Sequence, residues 1–192
     1  MQPIVLGSSS VFRRQLLEKL LDRFEICSPD IDESPLPGEN PAQLVQRLAL
    51  QKAQAVAKVH PDALIITSDQ VSVLEGRING KPGNYENAFR QLKNSSGKQV
   101  SFFTSLCLYD ATTAKYQLDV EQFQVHFREL NDAQIERYLK KETPYNCAGS
   151  FKSEGLGIAL FTRLEGRDPN TLIGLPLIRL VEMFAAAGIQ LP

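Results

Sequence analysis

Apolar positions along the chain switch between two periods, and the switches outline short strands and helices in alternation. Ile4–Gly7 is a short apolar run that breaks at Ser8-Ser9-Ser10 and resumes with helical spacing over Val11–Leu21. A strand over Phe24–Ser28 follows, then a turn-rich loop from Pro29 to Asn40 that holds three prolines and the acidic pair Asp32-Glu33. Asn40-Pro41 reads as the N-cap and first position of a long helix reaching about His60. The next strand, Leu64–Ser68, delivers Asp69 and Gln70 at its carboxyl end, where open α/β sheets present ligand-facing residues. Val71–Leu74 and Arg77–Asn79 form a hairpin across Glu75-Gly76, leading to Gly80-Lys81-Pro82 and a helix over Tyr85–Lys93. Val100–Tyr109 and Lys115–Arg128 alternate in the strand period as a long antiparallel pair. Helix Asp132–Lys141 ends before Pro144, a Gly- and charge-rich stretch spans Ala148 to Gly174, and a last helix runs to about Ala187.

Parallel-type βα units in the first half and antiparallel pairs in the second predict an α/β fold. Its mixed, elongated sheet is flanked by helices and split into two lobes around a central cleft, the natural ligand site. A chain of 192 residues buries enough surface for a stable core without staples, so one domain over 1–192 is expected. The net charge of -1, from 21 basic and 22 acidic residues, lacks the footprint of a nucleic-acid binder. Cys27, Cys107 and Cys147 are odd in number and widely spaced, which favours core thiols in a reducing compartment over a disulfide framework or a zinc site. No apolar run approaches the ~18 residues of a membrane span. The expectation is a cytoplasmic protein with no membrane partner.

Charge at loop positions changes the picture. The strand-to-helix passage Ser8-Ser9-Ser10-Val11-Phe12-Arg13-Arg14, with Ser10 as N-cap, combines backbone N–H groups with two guanidiniums and reads as an anion site or as an ordinary capped helix with surface arginines. Two further segments carry charge: Asp32-Glu33 with Lys52, and Asp69-Gln70 with Lys81. Carboxylates bind a hard divalent cation and Arg or Lys bind phosphate oxygens, so together they suit a polyphosphate and a metal. Read singly, Asp32-Glu33 is an exposed turn pair, Lys52 a solvated helix lysine and Lys81 a turn residue.

Seven ordered segments carry a resemblance along the whole chain. They are Ser8 to Arg14, Asp32-Glu33, Gln51-Lys52-Ala53, Ser68-Asp69-Gln70, Gly80-Lys81-Pro82, Ala148-Gly149-Ser150-Phe151-Lys152-Ser153-Glu154-Gly155, and Gly174-Leu175-Pro176-Leu177. In order and spacing the chain resembles the Maf-type nucleotide pyrophosphatases, with their Maf/ITPase-like fold, and most of all the branch acting on 7-methyl-GTP. The branch acting on dTTP and UTP has a threonine at the position of Gln70 and a glutamine at that of Glu154. Val11 departs from both, standing where the family usually has proline.

The resemblance implies hydrolysis between the α and β phosphates of a nucleoside triphosphate, with Mg²⁺ or Mn²⁺ as divalent metal. It assigns Asp69 as proton acceptor, Arg13, Lys52 and Lys81 as phosphate-holding groups alongside Ser8, and Glu33 with Asp69 to the metal. Methylation at N7 makes the guanine ring cationic, so Phe12 can offer an aromatic face and Glu154 a counter-charge, with Gln70 hydrogen-bonding the base. The competing readings are a pyrophosphatase for dTTP, UTP or other non-standard nucleotides, and a non-catalytic module that binds methylated nucleotides. A homodimer is left open. His60 and His126 lack a second ligand at metal spacing and read as structural, and Gly166 to Asn170 reads as a turn.

Overall fold

The computed structural model describes residues 2–191 and divides into two compact units. The first comprises residues up to Asp69, Thr104–Glu121 and the segment from Asp168; the second comprises Gln70–Phe103 and Gln122–Arg167.

In the first unit, β1 (Ile4–Leu6) pairs in parallel with β2 (Glu25–Ile26) on one side and β3 (Leu64–Thr67) on the other. The carboxyl-terminal half of β6 (Gln99–Asp110) closes onto β3 in antiparallel register, with Thr67 opposite Cys107. Every residue of β3 is buried, as expected for a strand covered on both faces. Alternation sorts its side chains. Leu64 and Ile66 join Leu6, Leu106 and Leu108 beneath α1 (Val11–Leu17) and α6 (Leu177–Ala186). Ile65 joins Val5, Cys107 and Tyr109 against Ala49, Ala53 and Val56 of α2 (Pro41–Ala57). Helix α2 starts where the Asn40-Pro41 signature places it: Asn40 and Gln43 exchange capping-box hydrogen bonds, and the buried stripe Leu44, Val45, Leu48, Ala49, Lys52, Ala53, Val56 follows the helical period.

The second unit holds the hairpin β4 (Gln70–Leu74) and β5 (Arg77–Asn79), then α3 (Tyr85–Ser95). It continues with the distal half of β7 (Lys115–Phe127) and α4 (Asp132–Glu142). Strand β7 pairs with β6 and, in antiparallel register, with β8 (Phe161–Glu165). Phe102, Phe127, Phe151 and Phe161 meet edge to face, with centroids 4.7–5.7 Å apart.

The mixed sheet with flanking helices agrees with the α/β expectation. Three details differ. The helix predicted to reach Leu21 is regular only to Leu17, and the strand predicted over Phe24–Ser28 only over Glu25–Ile26. The stretch from Ala148 to Gly174 contains β8 and a short helix, α5 (Pro169–Ile173), because Phe161 supplies core contacts and Asp168 caps the helix. Of Gly166 to Asn170, read as a turn, Gly166 and Arg167 do bend the chain, and Asp168 to Asn170 start α5. No helix among the described residues is long and apolar enough to cross a membrane.

Candidate active site

Parallel strands end on the same side, so β2, β1 and β3 send their following loops to one edge of the first unit. The loop after β1 carries Ser8 and, one turn into α1, Arg13; the loop after β2 carries Glu33; Asp69 lies two residues past β3. Close approach at this edge depends on Gly7, where a Cβ would sit 2.6 Å from Thr67 Cγ2.

The centre is an ammonium between two carboxylates. Lys52 Nζ lies 2.6 Å from Asp69 Oδ1 and 2.7 Å from Glu33 Oε1. Lys52 is not a solvated helix lysine: it occupies a core-facing position of α2, one turn beyond Leu48, and its side chain is 8 % exposed. Burial of that charge is tolerable only with such partners. The Asp69 side chain is nearly as buried, at 11 %, whereas that of Glu33 is 57 % exposed. The backbone at Asp69 is clamped by β6: Asp69 N donates to Ser105 Oγ at 3.0 Å, and Ser105 N donates to Asp69 O at 2.9 Å. Asp69 Oδ2 has no hydrogen bond to any described residue, so Lys52 holds the carboxylate through one oxygen.

Arg13 borders this centre. Its Nε donates to the carbonyl of Gly174 at 2.8 Å, and the buried Ser68 hydroxyl donates to the same oxygen at 2.9 Å. Burial lowers the affinity of its guanidinium for its proton, and the nearby charges of Asp69 and Glu33 act in the opposite direction. Arg14, expected beside it, turns away into a surface ion pair with Glu18, one helical turn on. Ser8 is buried, and its hydroxyl accepts from Ser10 N; Ser10 in turn caps α1 by accepting from Arg13 N. Phe12 is half-buried on the first turn of α1.

The remaining expected site residues belong to the second unit. Gln70 opens β4 and is half-buried, and Lys81 is exposed in the loop before α3. Glu154 is exposed beside Ser153, whose hydroxyl lies 3.4 Å from its carboxylate. Lys81 and Glu154 both act electrostatically on the half-buried Cys147, whose thiol is pushed up to about 11, mainly by burial. Burial thus disfavours the thiolate, the nucleophilic form.

Two positioning groups escaped the sequence reading. Gln91 of α3 donates to Gly80 O at 3.1 Å and accepts from the buried Ser150 hydroxyl, tying the Gly80-Lys81-Pro82 loop to the Ala148 to Gly155 segment. Ser105, described above, is the other. Both sit inside regular elements, where no local signal distinguishes them from ordinary polar residues. Of the two histidines, His126 pairs with Glu165 at 2.6 Å and His60 lies 3.8 Å from Glu25. No group of three or more His, Cys, Asp or Glu side chains among the described residues could hold a metal by itself.

Residues 3–187 match the family described as Maf-like protein. The chain belongs to the Maf family. This Maf protein is also 59 % identical, over 189 residues, to a protein of Alcanivorax borkumensis named 7-methyl-GTP pyrophosphatase; the match covers 98 % of this chain and 96 % of that relative.

Proposed function

We infer that this Maf protein is a nucleoside triphosphate pyrophosphatase that prefers 7-methyl-GTP, releasing 7-methyl-GMP and pyrophosphate, with the whole chain serving as one catalytic domain. The observation that carries the chemistry is the Asp69 carboxylate, held by Lys52 through one oxygen and open through the other. The substrate preference rests on the named relative and on Gln70 and Glu154, which this chain has at the two positions that separate the branches.

Glu33 and Asp69 each bond the Lys52 ammonium through one oxygen, which brings two hard-donor carboxylates together. Such a pair fits Mg²⁺ or Mn²⁺, ions that take one or two carboxylates and complete their shells with phosphate oxygens and water. When bound, the cation neutralises phosphate charge and acidifies nearby water. Asp69 Oδ2 takes the proton of the water that attacks the α-phosphorus, acting as general base. Lys52 keeps Oδ1 in place and has a third N–H for a phosphate oxygen. Arg13 and Lys81 hold further phosphate oxygens, and Ser8 lies in the loop that frames them. Phe12, Gln70 and Glu154 supply the face, hydrogen bond and counter-charge for the methylated base. The product is a monophosphate, so the reaction removes a modified nucleotide from a cytoplasmic triphosphate pool before it can enter nucleic acid.

The test is a panel of triphosphates, methylated and plain, with Mg²⁺ or Mn²⁺, scored for released pyrophosphate. The expected result is the highest kcat/KM on 7-methyl-GTP. Equal or better turnover of dTTP or UTP overturns the preference, and binding of 7-methyl-GTP without pyrophosphate release overturns the enzyme.

A further inference from the structure

We infer that Asp168 is a positioning residue: through the main-chain carbonyl of Gly174 it fixes the plane of the Arg13 guanidinium. The inference rests on the reading of Arg13 as a phosphate-holding group.

Asp168 is fully buried, and a buried carboxylate is costly unless both oxygens are engaged. Both are. Oδ1 accepts from the backbone and side-chain nitrogens of Asn170, at 2.8 and 2.7 Å, and Oδ2 accepts from the backbone N of Ile178 at 2.8 Å. Asn170 lies in the first turn of α5 and Ile178 in that of α6, so one side chain ties two helix starts together. The segment between them, Gly174-Leu175-Pro176, is pinned at its near end by Gly174 N and Leu175 N, which both donate to Asn170 O.

Gly174 has φ +127, a conformation that glycine tolerates and other residues rarely adopt. Its carbonyl accepts from Arg13 Nε and from Ser68 Oγ, which uses both lone pairs. Rotation of that peptide breaks both bonds together, so the direction of the carbonyl is set by the two helix starts on either side. A guanidinium is a rigid planar fork, and a fixed Nε fixes its plane. The two terminal nitrogens of Arg13 make no hydrogen bond to any described residue and are left to grip two phosphate oxygens at once. The same carbonyl holds the residue that precedes Asp69. Asp168 therefore sets the register between the phosphate grip and the base without touching either.

Asp168→Asn keeps the volume but replaces one acceptor with a donor, so it cannot satisfy all three N–H groups. The first measurement is the exchange rate of the Arg13 Nε–H with water, by ¹⁵N NMR on the intact protein. Wild type is expected to show slow exchange, and the variant exchange at least about tenfold faster as the Gly174 bond loosens. The second is a double-mutant cycle on kcat/KM for 7-methyl-GTP. Asp168→Asn alone is expected to lose roughly 10- to 100-fold, the usual cost of a displaced positioning group, and less than about twofold in an Arg13→Ala background. A merely structural carboxylate would lower both backgrounds by the same factor. If Asp168→Asn fails to fold, Asn170→Ala removes one of the three donors and is expected to move both readouts in the same direction by less. Unchanged Nε–H exchange in a folded variant, or losses that multiply across the cycle, overturn the inference. If wild type turns over no triphosphate, the functional reading fails by itself, and the exchange measurement still decides whether Asp168 positions Arg13.

Discussion

Asp69, Lys52 and Glu154 test different parts of the site at the residue scale. Asp69→Asn removes the proton acceptor at almost constant volume and is expected to lower kcat by ~10²–10⁴-fold with KM little changed and the far-UV circular dichroism of wild type. Lys52→Met keeps the apolar stem on α2 but strands Asp69 as a buried charge. Breaking a buried pair costs roughly 3–5 kcal/mol, and the exposure of Glu33 places this loss at about 3 kcal/mol, readable as a lower urea midpoint together with lost turnover. Glu154→Gln deletes only a charge. Because Glu154 is exposed, the expected fall in the ratio of kcat/KM for 7-methyl-GTP over GTP is roughly 5- to 10-fold, about 1 kcal/mol, with turnover retained. Equal loss on both substrates would assign Glu154 to the phosphates or to the fold.

Single elements deliver more than one functional group, and α2 is the clearest case. Its buried face brings Lys52 to the site, and its Arg47 bonds Glu39 through Nε at 2.7 Å and through Nη2 at 2.8 Å, and reaches Ser34 O at 3.0 Å. Arg47 thereby pins the loop that carries Glu33. Its hydrogen bonds hold the Glu39 carboxyl down at about 2, from an ordinary 4.5. A depressed carboxylate stabilises the fold above its unfolded value and loses that contribution as pH falls through the folded one. The urea midpoint of wild type should therefore exceed that of Glu39→Gln at pH 6, and the gap should close between about pH 4.5 and 2. A gap that persists at pH 2 would remove the ion pair as its cause. Helix α3 plays the equivalent part in the second unit. Gln91→Leu unties Gly80 from Ser150, so KM should rise several-fold for methylated and plain triphosphates alike, because the loop it frees carries Lys81 rather than a base contact.

For the whole molecule, the proposed chemistry requires a divalent cation held by only two side-chain carboxylates, with substrate completing the shell. Metal affinity should therefore be weak without nucleotide and stronger with it. Titration of Mn²⁺ followed by electron paramagnetic resonance is expected to show at least about tenfold tighter binding when a non-hydrolysable 7-methyl-GTP analogue is present, and chelation should abolish turnover reversibly. Turnover undiminished by chelator would remove the metal from the mechanism.

Local chemistry settled which elements form and what they carry. Asn40-Pro41 started α2, the apolar run Leu64 to Thr67 made a strand, and Glu75-Gly76 turned the hairpin, each from forces acting within a few residues. The seven motif segments likewise carried a resemblance that the family match bears out. Tertiary structure decided the rest. Lys52 has the sequence context of a surface lysine, and only the docking of α2 on the sheet puts its ammonium between carboxylates 17 and 19 positions away. Arg13 and Arg14 are neighbours in the chain, yet one is drawn to a carbonyl 161 residues away and the other to an adjacent turn of its own helix. The second half of the turn-like segment Gly166 to Asn170 became a helix start because Asp168 found three N–H donors across two helices. Periodicity and capping report on contacts within a turn or two of chain. A buried charge is placed by partners that only long-range packing brings within hydrogen-bond distance, and the sequence has no local term for that.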